Sequence, residues 1–86
     1  MASRKALRLL ERARRSLSNW RRRELDEMYL GFGFEIRSGA KHDVVKHPKY
    51  PQLRTTLPRH GSLAKGYITY AISLIERLIE LEGTHE

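Results

Sequence analysis

Gly39 to His60 reads GAKHDVVKHPKYPQLRTTLPRH, and the fold turns on how this stretch is divided. It holds His42, His47 and His60, three of the four histidines, and all three prolines. Ser38-Gly39 supplies a turn, residues 41–47 form a short run with Val44 and Val45, and Pro48 and Pro51 bracket a basic loop. Leu53, Thr55 and Leu57 then alternate with Arg54 and Thr56 until Pro58 ends the run, as proline does at a strand terminus. Upstream, Phe34-Glu35-Ile36-Arg37 alternates in the same way. Period-two alternation between turn residues predicts strands near 34–38, 41–47 and 53–57, joined as an antiparallel meander. In the middle run His42, Val44 and Lys46 share one face, and Asp43, Val45 and His47 the other. Each face has one valine, so the pattern leaves both faces open as the buried one.

The flanks read as helices. Ser3 is a candidate N-cap for a helix over 3–17. Its apolar stripe of Ala6, Leu10, Ala13 and Leu17 opposes a ridge of Arg4, Arg8, Arg12 and Arg15. Arg4 and Lys5 occupy the first turn, where the helix dipole disfavours cations. Ser18-Asn19 is expected to break this helix and cap the next, with Trp20 plugging the junction. A second helix over 22–30 carries Leu25, Met28 and Tyr29 inward and Glu24, Asp26 and Glu27 outward, towards arginines they can neutralise. Gly31 supplies its stop and Gly33 a turn. Residues 65–82 form the most apolar helix, ended by Gly83 and followed by a frayed tail at 84–86. Its wide face (Ile68, Ala71, Ile72, Ile75, Leu78, Ile79) predicts contact with the sheet and with either the first helix or a second copy in a homo-oligomer. The order is α-α-β-β-β-α, an α+β fold with helices on one face of the sheet and the other face open.

At 86 residues the chain makes one domain. It has no cysteine, which removes disulfides, thiolate catalysis and Cys-ligated zinc. No apolar run reaches the ~20 residues of a membrane span, and no secretory signal is evident, so a cytoplasmic protein is expected. The net charge is +7, which directs attention to a polyanion, nucleic acid first. Arg8, Arg12, Arg15, Arg21, Arg22 and Arg23, with Arg37 and Arg54 on strands, are the candidate RNA contacts. Phosphodiester cleavage needs an acid/base group and cations to offset phosphate charge. Imidazole titrates near neutrality unaided, so a histidine of this stretch is a candidate for that group, with Lys41, Lys46 and Arg59 as cations; by its residues alone His42 reads more simply as a strand histidine without chemistry. His60 either assists them or caps the last helix. His47, before Pro48, reads as a turn or core-edge group bonded to backbone. Two histidines and Asp43, without dedicated spacing, do not make a metal site, so neither metal nor cofactor is expected.

Gly33-Phe34, AKHDVVKHP at residues 40–48, LPRH at 57–60 and LAKG at 63–66 together resemble the HicA family of mRNA interferase toxins. The resemblance spans about residues 25–78, and it implies a double-stranded-RNA-binding-domain-like core over 20–83 with residues 1–19 as a helical extension. It implies that His42 is the catalytic histidine of a metal-independent endoribonuclease and that His47 and His60 fall on the family's His-Pro and Pro-X-His histidines. It also implies an mRNA substrate and a HicB-like antitoxin partner. Ala40-Lys41 stands where the family has Gly-Ser, and Val45 where it has an aromatic. The alternatives are a non-catalytic RNA-binding module on the same fold and an interaction protein whose basic surface docks an acidic partner.

Overall fold

A computed structural model describes residues 2–83. The elements run α1 (Arg4–Arg15), α2 (Arg22–Gly31), β1 (Glu35–Ser38), β2 (Asp43–Lys46), β3 (Arg54–Leu57) and α3 (Lys65–Gly83). The sheet is antiparallel in the order β1-β2-β3, so the expected α+β layout holds. Each strand is four residues, shorter than the alternation suggested. The expected tail at 84–86 lies outside the described residues.

The middle strand's ambiguity resolves towards Val45, which is fully buried while Val44 is only half-buried. Asp43 and His47 share the inner side with it. Leu57 and Ile36 flank this face, and Leu25, Met28, Tyr29, Ile68 and Ile75 complete a core in which each fully buried side chain contributes ~1.5–3 kcal/mol. Glu35, Arg37, Lys46, Arg54 and Thr56 remain exposed on the other face.

α1 buries Ala6, Leu10 and Ala13, and the small side chain of Ala6 lets α2 approach closely at Gly31. A Cβ on Gly31 would lie 2.4 Å from the Ala6 Cβ. The same crossing joins termini: the Ser3 hydroxyl accepts from the Ala6 N–H, and the Ser3 N–H donates to the Gly31 carbonyl at 3.0 Å. Gly31 therefore serves a helix contact, while the left-handed residue that ends α2 is Gly33, at φ 92°. α3 spans the core and meets α1, with Arg14 donating to Glu76 at 3.2 Å.

α1 ends at Arg15, two residues short of expectation. The Ser16 carbonyl is taken by the Trp20 indole N–H at 3.0 Å, which folds the chain back and buries Trp20 in the junction. Asn19 lies at φ 62°, a left-handed conformation that asparagine tolerates. The cap of α2 is Arg21 rather than Ser18 or Asn19: its N–H donates to the Glu24 side chain at 3.0 Å.

Candidate functional site

The β1–β2 connection is a four-residue loop, 39–42. The last ladder pair, Ser38 with Asp43, sits beneath it, and the Gly39 N–H donates to the His42 carbonyl at 2.9 Å. A Cβ on Gly39 would fall 2.4 Å from that same oxygen, so the turn requires glycine. Ala40, Lys41 and His42 are consequently displayed at an exposed tip. His42 is thus in a loop, not on the strand where the alternation had placed it. The tight turn uses residues 39–42, and pairing starts only at Asp43.

Asp43 organises what surrounds the tip. One carboxylate oxygen accepts from Arg59 at 2.9 Å and the other from Arg22 at 2.8 Å. Arg59 also donates to the Gly39 carbonyl. Arg22 further donates to Asp26 at 2.7 Å and to the Pro58 carbonyl at 2.8 Å. Two guanidinium groups, Arg59 first and Arg22 second, hold the Asp43 carboxyl below the usual carboxylate range. Burial works against the Arg22 charge, but its bonds to Asp26 and Asp43 prevail and raise its pKa. The network ties α2, the 39–42 loop and the segment after β3 into one unit.

Arg59 and Asp43 are each next in sequence to an exposed imidazole, His60 and His42. The network therefore holds the two histidine-bearing segments together at one end of the sheet, with Lys41 beside them. Lys46 does not join this group. It lies three residues further along β2, opposite Glu35 and Arg54, about 10 Å away at ~3.3 Å per residue. Arg59 is near, but its Nε and one terminal nitrogen are engaged by Asp43 and Gly39, which leaves the other terminal nitrogen as its remaining donor group. His47 is a core-edge group: it is buried, its Nδ1 accepts from the Lys49 N–H at 3.1 Å, and its ring lies edge-on to Phe34 at 5.0 Å.

The arginines divide likewise. Arg12 donates to Glu24 at 2.6 Å and to the Asn19 carbonyl, and stacks over Trp20 at 4.4 Å. Its bond to Glu24, with the Arg21 N–H second, lowers that carboxyl's pKa. Arg22 is spent on Asp26 and Asp43, and Lys5 pairs with Glu27 at 2.7 Å. Among the described residues Arg8, Arg15 and Arg23 are exposed and form no ion pair, and Arg21 is exposed beside them. Arg37 meets Glu35 only at 3.4 Å, while Arg54 forms no ion pair among the described residues.

A polar cleft of about 510 Å³, lined by Asn19, Trp20, Arg21, Arg22, Gly61, Ser62 and Leu63, runs from Arg21 and Arg22 to the segment that follows His60. Sequence reasoning missed both this cleft and the central position of Asp43. The signal for Asp43 was an acid at a strand start in a chain with a large excess of arginine. Among the described residues no group of three or more His, Cys, Asp or Glu side chains is placed to hold a metal ion, and no helix is long and apolar enough to cross a membrane. No protein-family model, curated protein or solved structure matches the chain.

Proposed function

We propose that the chain is a small endoribonuclease of the HicA-like mRNA interferase type, with His42 as its acid/base group. The observation that carries the reading is the bridge from Arg59 to both Asp43 and Gly39, which fixes the His42 tip against the segment bearing His60 and leaves both imidazoles in solvent. A 2′-OH attack needs one group to take the hydroxyl proton and one to protonate the leaving 5′-oxygen, and two exposed imidazoles on joined segments can divide these tasks. Lys41 supplies the local cation for phosphate charge. Arg8, Arg15, Arg21 and Arg23 give RNA an approach that continues through the cleft to the segment that follows His60. A HicB-like antitoxin that covers the His42 tip would silence the activity.

The pairing of Arg22 and Arg59 with Asp43 favours a second reading. Guanidiniums neutralised by a carboxylate contribute little to a phosphate transition state, and an RNA-binding module needs only the unpaired arginines. Product analysis separates the two. The purified protein is incubated with a defined single-stranded RNA in EDTA, and a ribonuclease of this kind leaves 2′,3′-cyclic phosphate ends. Retention of the RNA with no new ends establishes the binding module instead.

A further inference from the structure

We propose that the free edge of β3 accepts an extended acidic segment of a partner protein as a fourth strand, independently of the ribonuclease reading. The main chain sets the mode. The His47 N–H donates to the Leu53 carbonyl at 3.1 Å, and the register pairs Val45 with Thr55 and Asp43 with Leu57. In an antiparallel ladder, alternate residues direct N–H and C=O to the same neighbour. Leu53, Thr55 and Leu57 therefore face β2, while Arg54 and Thr56 turn their backbone groups to the open edge. The Thr56 carbonyl takes only a long bond from the Thr55 hydroxyl, at 3.5 Å, and an edge of this kind is a template for strand addition.

Beside the edge, Thr55, Thr56, Ala64, Gly66, Tyr67 and Tyr70 line a mostly apolar groove of about 340 Å³. Tyr70 is 48 % exposed, the state of a large amphipathic side chain awaiting cover. Alternate residues of an added strand would share the inner face with Thr55 and reach this groove. The residues between them would lie on the outer face beside Arg54. There Arg54 stands directly across from Lys46, and neither has an ion pair among the described residues. Glu35 already faces Lys46 from β1, so on the open side Arg54 is the cation without a carboxylate across from it, and an acid on the added strand supplies one. α3 starts at the groove with Lys65 and no acid in its first turn, so its dipole adds to the positive field. The preferred segment alternates apolar and acidic residues. A second copy of the chain does not fit, because it brings another +7 charge.

The test uses the full chain and a capped Glu-Val-Glu-Val-Glu-Val peptide, with Lys-Val-Lys-Val-Lys-Val as control. The acidic peptide should bind and slow hydrogen exchange at the Arg54 and Thr56 amides. Thr56→Pro removes an outward-facing donor without a ladder bond and should weaken binding about tenfold, the value of one lost hydrogen bond. Tyr70→Ser should weaken it as well, and both variants are first checked for folding by circular dichroism and thermal melting. No protection at Arg54 and Thr56 with millimolar peptide overturns the proposal, as does equal binding of the lysine peptide or undiminished binding by folded Thr56→Pro. If hexauridylate protects the same two amides and displaces the peptide, the edge is a nucleic-acid surface and the proposal fails. A parent that cleaves no RNA leaves the result intact, since strand addition needs no imidazole.

Discussion

The Arg59 guanidinium donates to the Asp43 carboxylate at 2.9 Å, closing the segment after β3 onto the end of β2. Because His42 and His60 adjoin these two residues in sequence, the ion pair holds together the segments that carry both imidazoles. Arg59→Ala should therefore slow RNA cleavage while leaving His42 chemically intact. As a positioning effect it should be partly rescued by Arg59→Lys, which restores the charge but not the second bond to Gly39. Equal rates for parent and Arg59→Ala would remove the pair from the account.

The pH dependence of stability follows from the carboxylates. Asp43 is held low by Arg59 and Arg22, Glu24 by Arg12 and the Arg21 N–H, and Glu82 by Tyr50 and Lys49. A folded-state pKa below the unfolded one contributes stability that is complete above the unfolded value, ~4, and is lost as pH falls through the folded value. Melting temperature should thus decline as pH falls below ~4. Asp43→Asn should start lower and decline less steeply. A melting temperature that rises on acidification would contradict the sign.

Tyr29 is fully buried, and its hydroxyl has no hydrogen-bond partner among the described residues. Burial pushes its pKa up. A desolvated, unpaired hydroxyl costs ~1–3 kcal/mol, so Tyr29→Phe should stabilise the fold by about 1 kcal/mol. That corresponds to a rise of ~4–8 °C in melting temperature for a domain of this size. A fall in melting temperature would mean the hydroxyl is bonded.

At Gly31 two effects compete. Alanine gains ~1 kcal/mol of helix propensity. Its methyl, however, would sit 2.4 Å from the Ala6 Cβ and 2.6 Å from the Ser3 hydroxyl oxygen, and overpacking typically costs ~1–3 kcal/mol. The clash involves a stiff methyl on a facing helix, so it should dominate. Denaturant titration of Gly31→Ala should show a net loss of about 1 kcal/mol, and a gain would show that α1 can shift freely on α2.

The element order and the three helices were legible in the sequence because each has a clear apolar period. Strand limits were less so, since residues 41 and 42 continue the alternation yet are consumed by the turn that Gly39 demands. The arginine surface was only half legible. Composition counts charges but not partners, and Arg12 and Arg22 look like Arg8 and Arg15 until Glu24 and Asp43 are brought beside them. The segments bearing His42 and His60 are joined by a long-range ion pair, from Arg59 to Asp43, that no local pattern encodes.

This division predicts how RNA binding responds to salt. Replacing Arg8, Arg15 and Arg23 together by Ala should reduce the slope of log K against log salt by about 2, at ~0.7 per lost phosphate contact on a single strand. Arg12→Ala should instead lower stability and leave the slope nearly unchanged. Equal slopes for the parent and the triple variant would place RNA elsewhere.

The most direct measurement of the central claim is single-turnover cleavage of a defined RNA by the parent and by His42→Gln, compared at equal folded fraction. Glutamine keeps size and polarity but cannot shuttle a proton. A general acid/base group contributes ~10²–10⁴-fold in rate, so His42→Gln should cleave at least about a hundredfold more slowly while binding RNA as tightly as the parent. Cleavage by His42→Gln at the parental rate would contradict the assignment.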